Sequence, residues 1–260
     1  MKTILLTFDV EEFDLPKEFN QEILEDEMYK ISKQGLDKLI SLLESQEVKA
    51  TFFTTANFAK KFPNSLRQLS QKGHEIACHG YSHSDCYTDD ISKIPLAKEE
   101  IEEITLKKIK GFRAPKWYLG GIEIIQTTGF CYDSSSHPIY LPGRYFNINK
   151  KRKPHKIGNL VEIPLSTLPP NLSLFWLAFK NFPMIYSKLF TRINFFTTNY
   201  TMLVMHPWEF SDISKFKLPW YVNTIHSDKL LKKLEYYIKF CKKNNYKFET
   251  ISEFLENQVL

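Results

Sequence analysis

Two histidines four positions apart form the most suggestive group in this chain. His79 and His83 bracket the pentapeptide His79-Gly80-Tyr81-Ser82-His83, which follows the short apolar run at 75–78. Imidazoles at this spacing can bind one metal ion, either on a helix or in a tight loop. Gly80 and the polar residues around it favour a loop that leaves a strand, because glycine permits a sharp turn. Alone, the pair is a weak signal, since two surface histidines also occur at this spacing by chance.

Other reactive side chains lie at or just after the ends of predicted strands, and they are Asp9, Glu11, Arg113, Asp133 and His206. Each one alone has an ordinary explanation, such as a helix cap, an ion pair or a hydrogen-bonded loop residue. The carboxyl ends of parallel strands, however, meet on one rim of a sheet or barrel, where active sites are commonly built. We therefore expect these residues to converge although they are far apart in the sequence.

The residue types also form a chemically coherent set. Two neutral imidazoles and one carboxylate leave a metal position open for water or substrate. A metal held there polarises a carbonyl and lowers the pKa of its bound water. A second carboxylate would act as general base, with an arginine beside it to keep it ionised, and a separate histidine could protonate the leaving group. This set predicts metal-assisted hydrolysis of an amide or ester.

The elements that would position these residues alternate between strand and helix. Apolar patterning predicts strands at 3–8, 49–53, 75–78, 109–113, 130–133, 160–163 and 201–205. It predicts helices at 31–45, 57–71 with a break at Pro63, 95–108, 122–128, 172–190 and 228–243, and a long irregular segment at 134–170. Alternation of this kind is typical of a parallel sheet with helices outside it, open or closed into a barrel. No linker or repeat divides the chain, so we expect one catalytic domain over 1–260.

Composition narrows the choice of partner and compartment. The net charge of +5 is mild and no Lys/Arg block is long, so no nucleic-acid partner is predicted. The four cysteines contain no C-x-x-C pair, and the apolar run at 3–8 is too short for a secretory signal. Both observations favour free thiols in a reducing cytoplasm. The longest apolar region, 172–179, is shorter than the roughly 20 residues that a membrane span needs.

These motifs resemble those of the polysaccharide deacetylase family, the carbohydrate esterases of the chitin and peptidoglycan deacetylase type. The resemblance extends over nearly the whole chain, from Thr7-Phe8-Asp9 to His206. It implies an α/β fold, a single distorted (β/α) barrel with seven or eight mostly parallel strands. It also implies a hydrolase of non-peptide C–N bonds that uses a divalent metal, Zn²⁺, to remove N-acetyl or O-acetyl groups from a glycan or a lipid-linked sugar.

The resemblance assigns roles residue by residue. Asp9 in Thr7-Phe8-Asp9 would be the general base, and His79 and His83 would bind the metal. Arg113 in Phe112-Arg113-Ala114-Pro115 would steady the base. His206 would be the general acid, and Asp133 in Tyr132-Asp133-Ser134-Ser135 would tune it.

Further residues would contact the substrate. Tyr81, Pro115 and Trp117 are the candidates, and a backbone N–H near Tyr81 or Pro115 would stabilise the oxyanion.

One position departs from the family pattern. The usual first motif has two adjacent aspartates, the second of which binds the metal, but Val10 stands in that place. Glu11 is then the expected third ligand, with Glu12 and Asp9 as alternatives. Members with altered first motifs can lack the metal and hydrolyse a different C–N bond, as in a ring amide.

Several alternatives stay open at this point. The chain could be a metal-free hydrolase of a small cyclic amide, or a carbohydrate-binding protein without activity. A structural zinc site could use Cys78 or Cys86 with the histidines. The aromatic and cationic segment 173–192 could contact a membrane surface at the inner face of the membrane, or it could cover the barrel or wall the substrate cleft.

Overall fold

A computed structural model describes residues 1–83, 91–117, 121–141, 145–169 and 172–258. The strands are β1 Thr3–Val10, β2 Thr51–Thr54, β3 Glu75–Cys78, β4 Gly111–Phe112, β5 Tyr132–Asp133, β6 Tyr140–Leu141, β7 Tyr145–Phe146, β8 His155–Ile157, β9 Leu160–Glu162, β10 Thr167–Leu168, β11 Leu172–Ser173, β12 Tyr200–Met205 and β13 Lys247–Phe248. The helices are α1 Leu15–Glu18, α2 Glu25–Ser45, α3 Ala56–Lys61, α4 Pro63–Gln71, α5 Ile94–Thr105, α6 Ile122–Thr127, α7 Trp176–Asn181, α8 Met184–Asn194, α9 Trp220–Asn223, α10 Ser227–Lys243 and α11 Ile251–Glu256. Short 3₁₀ turns lie at Ile91–Lys93, Pro115–Trp117 and Pro207–Phe210.

The main sheet is built outward from β1. Its strand order is β12-β1-β2-β3-β4-β5-β9-β8, and every pairing is parallel except the last, between β9 and β8. All of β1 is buried, as is typical of a parallel strand covered on both faces. The sheet curls into an incompletely closed barrel, since no strand pairing joins β8 to β12 in the described ranges. This arrangement confirms the predicted α/β fold class.

The side chains of β1 alternate between two apolar layers. Ile4, Leu6, Phe8 and Val10 belong to the large cluster under the helices, whereas Leu5 belongs to a second cluster with Phe53, Ala77 and Tyr132. Successive residues of a strand point to opposite faces, so Asp9 and Glu11 share the side of Leu5. The strand and the residue that directly follows it therefore bring two carboxylates to the inner side of the curled sheet, and Val10 points into the core.

The predicted helix at 172–190 is two helices. Phe182 is extended (φ −90°, ψ 152°) and separates α7 from α8. Pro183 explains the break, because a proline clashes with a helical conformation of the residue before it. No helix in the described parts of the chain is long and apolar enough to cross a membrane.

Helix α2 presses against the turn that follows β12. Gly35 faces this turn, and a Cβ added there would lie 1.8 Å from the carbonyl oxygen of Pro207. The hydroxyl of Ser211 donates to the carbonyl oxygen of Ile31 (2.6 Å) at the same contact. The absence of a side chain at position 35 thus fixes where the turn at 207–210 lies.

We predict that Gly35→Ala destabilises the fold even though alanine favours helices by about 1 kcal/mol. Overpacking against the Pro207 carbonyl should lower the free energy of unfolding by about 2 kcal/mol, measured by urea denaturation. Gly121→Ala is the matched control, because its Cβ would meet only the flexible Glu123 carboxylate at 3.3 Å. An unchanged or higher stability of Gly35→Ala would contradict the contact.

Candidate active site

A cavity of about 100 Å³ opens at the carboxyl ends of the strands. Of the residues predicted from sequence, those that line it are Asp9, Glu11, His79, His83, Trp117 and His206. Arg113 and Asp133 are fully buried. The structure thus brings together residues from β1, from the loop after β3, from the turn after β4 and from the end of β12.

The two histidines and Glu11 converge on one point. Oε2 of Glu11 lies 3.2 Å from Nε2 of His79 and 3.3 Å from Nε2 of His83. Ligand atoms of the three buried residues all lie within 4.8 Å of one another. Two ligands on a tetrahedral Zn²⁺, each about 2.0–2.1 Å from the ion, are about 3.3 Å apart. The measured separations from Glu11 therefore fit a shared metal ion.

The other ring nitrogen of each histidine is already hydrogen-bonded. Nδ1–H of His79 donates to the carbonyl oxygen of Arg113 (2.8 Å), and Nδ1–H of His83 donates to Oδ1 of Asp14 (2.8 Å). A proton held on Nδ1 leaves the lone pair of Nε2 available to a metal. The donor set Glu11, His79 and His83 fits a divalent cation in its chemistry as well as in its spacing.

Glu12 does not face the imidazoles, because both of its carboxylate oxygens accept other hydrogen bonds. Its Oε2 accepts hydrogen bonds from the backbone N–H of His83 (3.3 Å) and from the hydroxyl of Thr55 (3.2 Å). Its Oε1 accepts from the hydroxyl of Tyr29 (3.1 Å). Glu12 therefore anchors the histidine loop, and Glu11 is the carboxylate that faces the imidazoles.

The loop itself turns at Gly80, whose φ of 77° favours glycine. The carbonyl oxygens of Gly80 and Tyr81 accept from the backbone N–H groups of Ala56 and Asn57 (3.1 and 3.0 Å). These bonds tie the loop to the start of α3. His79 and His83 can then face the same point although they do not share a helix.

The charges around the three ligands depend strongly on one another. Burial raises the pKa of Glu11, but the His83, His206 and His79 imidazoles outweigh it and lower that pKa to about 2. Burial lowers the pKa of His83, but Glu11 and Asp14 outweigh it and raise that pKa to about 9. Without a metal, His83 holds a proton between two carboxylates at neutral pH. A metal ion bound by His83 would displace that proton.

Asp9 is held by a buried arginine. Nη1 of Arg113 donates to Oδ1 of Asp9 (2.7 Å) and to the hydroxyl of Thr7 (3.0 Å). Nε and Nη2 of the same guanidinium donate to the carbonyl and the hydroxyl oxygen of Ser134 (3.1 Å each). The guanidinium also lies 4.0 Å from the ring centre of Phe53. Asp9 is thus fixed in orientation, and Glu11 remains free for the histidines.

His206 lies next to Glu11 and is oriented by Glu209. Its Nε2 is 3.9 Å from Oε1 of Glu11, and its Nδ1–H donates to Oε1 of Glu209 (3.1 Å). The other carboxylate oxygen of Glu209 is 3.6 Å from Nζ of Lys180, and both of these side chains are fully buried. Burial lowers the pKa of His206, but Glu11 and Glu209 outweigh it and raise that pKa. A raised pKa favours the protonated ring that a general acid needs.

Asp133, which the resemblance assigns to His206, has other partners. Its Oδ1 accepts from the hydroxyl of Ser135 (2.6 Å), and it hydrogen-bonds to Glu162. Burial raises the pKa of both carboxyl groups, and the negative charge of Asp133 raises that of Glu162 further. The hydroxyl of Ser135 lies 2.8 Å from the backbone N–H of Ala114, from which it accepts. Asp133 therefore supports the turn after Arg113, and Glu209 is the carboxylate that contacts His206.

Of the residues predicted to contact substrate, Trp117 lines the cavity and Tyr81 does not. Trp117 lines the cavity and packs on His137, with ring centres 5.2 Å apart. Both Lys116 and Trp117 have positive φ (51° and 60°), an uncommon conformation that turns this segment after Pro115. Tyr81 points elsewhere, because its hydroxyl bonds to Lys60 and Glu100 (2.6 and 3.3 Å).

The cysteines are not among the candidate ligands in the part of the chain that the structure describes. Cys78 is buried in the large apolar cluster, and Cys86 lies outside the described residues.

Sequence reasoning missed three residues that surround the candidate ligands and His206. Asp14, Glu209 and Trp208 contact the ligand set or its partners, and the indole N–H of Trp208 donates to Oε1 of Glu11 (3.2 Å). Glu209 lies three positions after His206, at capping-box spacing, and this spacing was the available signal. No local pattern marks Asp14 or Trp208, whose partners are distant in the sequence.

Together the fold and the site define an α/β barrel with a candidate metal centre on its rim. The sequence model of the polysaccharide deacetylase family matches residues 1–118 of the chain. This match confirms the resemblance to that family over the part of the chain that it covers.

Relatives and solved structures extend the comparison. A peptidoglycan deacetylase from Helicobacter pylori is 31% identical over 107 residues, which are 39% of this chain and 36% of that protein. The chain spans about a third of the length of the curated relatives it matches. A crystal structure of a putative polysaccharide deacetylase from Mycobacterium smegmatis has a TM-score of 0.66 at 19% identity, over 98% of this chain and 88% of that one. PuuE allantoinase has a TM-score of 0.66 at 15% identity, over 96% and 88%. These two likenesses concern the fold.

We predict that Asp14→Ala weakens metal binding without unfolding the protein. The loss of the hydrogen bond to Nδ1 of His83 should reduce Zn²⁺ affinity by about 10- to 100-fold, measured by competition with a chromogenic chelator. Asp212→Ala is the control, because this carboxylate is 73% exposed and its ion-pair partner is His226, which is not a candidate ligand. Equal Zn²⁺ affinity of Asp14→Ala and wild type would contradict the role given to Asp14.

A second prediction separates Glu209 from Asp133. Because Glu209 raises the pKa of His206, Glu209→Gln should lower that pKa. A general acid must be protonated, and with a lower pKa His206 would lose its proton at a lower pH. The fall of kcat on the alkaline side should therefore move to lower pH. Asp133→Asn should leave this limb in place, since Asp133 contacts Ser135 and Glu162. The opposite pattern in the pH–rate profiles would restore the role that the resemblance gives to Asp133.

Proposed function

We propose that the protein is a metal-dependent hydrolase that removes N-acetyl or O-acetyl groups from a glycan. The observation that carries this proposal is the convergence of His79, His83 and Glu11 on one point, with Nε2 of His206 3.9 Å from the Glu11 carboxylate. The nearby Asp9–Arg113 pair supplies a second carboxylate that the ligand set does not use. The family match over the first 118 residues supports the same chemistry.

The reaction divides among these side chains. A divalent cation held by Glu11, His79 and His83, which we take to be Zn²⁺, would activate a water and polarise the acetyl carbonyl. Asp9 accepts a proton from the attacking water, and Arg113 keeps the carboxylate oriented towards the cavity. His206 donates a proton to the departing sugar amine or hydroxyl, held in position by Glu209. Trp117 and Trp176 line the cavity, where aromatic side chains would contact a bound sugar.

The sugar, its carrier and the compartment belong to the proposal as well. A cytoplasmic enzyme that meets a lipid-linked sugar through residues 173–192 would need part of that segment to be exposed. Trp176 and Leu177 of α7 line the cavity, whereas Ile185 and Leu189 of α8 are exposed. The first half of the segment thus fits a cleft wall, and the second half fits a surface contact.

We expect purified protein to release acetate from N-acetylated oligosaccharides and to carry about one divalent ion per chain. Asp9→Asn should lower kcat by about 10²- to 10⁴-fold, because it removes the base, and should leave bound metal unchanged by elemental analysis. Asp37→Asn is the control, since Asp37 is exposed on α2 and pairs with Lys33.

The metal-free alternative makes the opposite predictions. A hydrolase of a small cyclic amide would keep its activity in a strong chelator and would release no acetate. Full turnover of Asp9→Asn on an acetylated sugar would overturn the assignment of the base.

A further inference from the structure

An exposed apolar stripe runs along α8 and continues beyond both of its ends. Its members are Phe182 (50% exposed), Ile185 (58%), Leu189 (46%), Ile193 (49%) and Phe196 (87%). A helix advances about 100° per residue, so Ile185, Leu189 and Ile193, which are four residues apart within α8, lie on one side of it. The opposite side of α8 is buried through Phe190 and Thr191. Five large apolar side chains in a row exceed the scattered exposure that is normal for a protein surface.

The surroundings of this stripe are positively charged. Between Glu162 and Glu209 the sequence contains no Asp or Glu, while Lys188 and Arg192 lie on α8 itself. Nζ of Lys188 donates to the hydroxyl of Tyr236 (3.0 Å) on the neighbouring helix α10. The hydrogen bond from Lys188 and the positive charges of Lys188 and Lys243 lower the pKa of Tyr236.

The far end of the stripe is basic too. Phe196 lines a groove together with Lys2 and Lys153. Nζ of Lys2 lies 5.7 Å from the ring centre of Phe195. Helix α10 adds six lysines against two acidic residues, Asp228 and Glu235, which are each within ion-pair distance of a lysine. An apolar stripe with cations along its side and at its end complements the interface of an anionic lipid bilayer.

We propose that the α8 stripe docks this protein on an anionic membrane surface. The near end of the stripe lies beside the active site, since Phe182 directly follows α7, whose Trp176 and Leu177 line the cavity. Exposed Trp220 and Tyr221 adjoin this end, where the side-chain amide of Asn181 donates to the Tyr221 carbonyl oxygen (2.7 Å). Tryptophan and tyrosine favour the headgroup region of a bilayer. Docking would place the cleft next to the membrane, where it could meet a lipid-linked glycan; only this last step rests on the proposed function.

Vesicle flotation of the chain 1–260 tests the docking. We expect binding to vesicles of phosphatidylcholine mixed with phosphatidylglycerol, and weak or no binding to phosphatidylcholine alone. Leu189→Gln/Ile193→Gln should lower the partition coefficient between water and vesicles by roughly tenfold or more, because both apolar contacts are lost. Lys188→Gln/Arg192→Gln should lower it by roughly tenfold, and added salt should reduce wild-type binding.

Matched controls lie elsewhere on the surface. Leu24→Gln/Leu106→Gln removes two leucines that are 77% and 83% exposed but lie off the stripe. Lys30→Gln/Lys107→Gln removes the same charge from exposed positions on α2 and after α5. Both control variants should bind anionic vesicles as the wild type does. All variants should keep wild-type acetate release from a soluble oligosaccharide, which separates failure of docking from failure of the proposed catalysis.

Four results would overturn the proposal. Wild-type protein could fail to float with anionic vesicles, or it could bind neutral vesicles equally well. The control variants could lose as much binding as the stripe variants. Light scattering without vesicles could reveal a dimer that Leu189→Gln/Ile193→Gln dissociates, in which case a second copy of the chain covers the stripe.

Discussion

The alternation of side chains along β1 is the constraint on which the site depends. In a strand, Asp9 and Glu11 must share a face, and Val10 between them must point the other way. Val10 is fully buried in the apolar layer under the helices, where a second aspartate would be an unpaired charge. Glu11, the candidate third ligand two positions after Asp9, keeps a carboxylate on the cavity side. The departure at Val10 is thus compatible with a complete ligand set.

A second constraint is the buried guanidinium of Arg113. An arginine with no exposure costs several kcal/mol unless its donors are satisfied. Here the donors reach Asp9, Thr7 and Ser134, and the guanidinium packs on Phe53. These contacts join the inner side of β1 to the loop after β5. Because the carbonyl of Arg113 also fixes Nδ1 of His79, one residue orients both the candidate base and one candidate ligand.

The sequence predicted the parts of this site that local patterns encode. Strands β1, β3 and β12 are marked by apolar runs, and each ends next to a reactive side chain, so Asp9, His79 and His206 could be found without coordinates. Their partners could not. Asp14, in the segment after β1, contacts His83, and Lys180 on α7 contacts Glu209 in the turn after β12. These partners are far apart in the sequence, so no local pattern could predict the contacts. The split of the 172–190 helix was readable from Pro183, whose effect on Phe182 is local.

Helix α7 ties the cleft to the surface beside it. Its Lys180 is the buried cation next to Glu209, and its Trp176 lies edge-on to His206 with ring centres 5.5 Å apart. The chain then leaves this helix at Phe182 and enters α8 through Pro183. Burial lowers the pKa of Lys180, and the neighbouring Glu209 carboxylate opposes this shift. The same short helix therefore walls the cavity, balances the charge behind His206 and ends where the apolar stripe begins. A shift of α7 would affect both the candidate acid, through Lys180 and Trp176, and the start of the stripe, through the chain at Phe182.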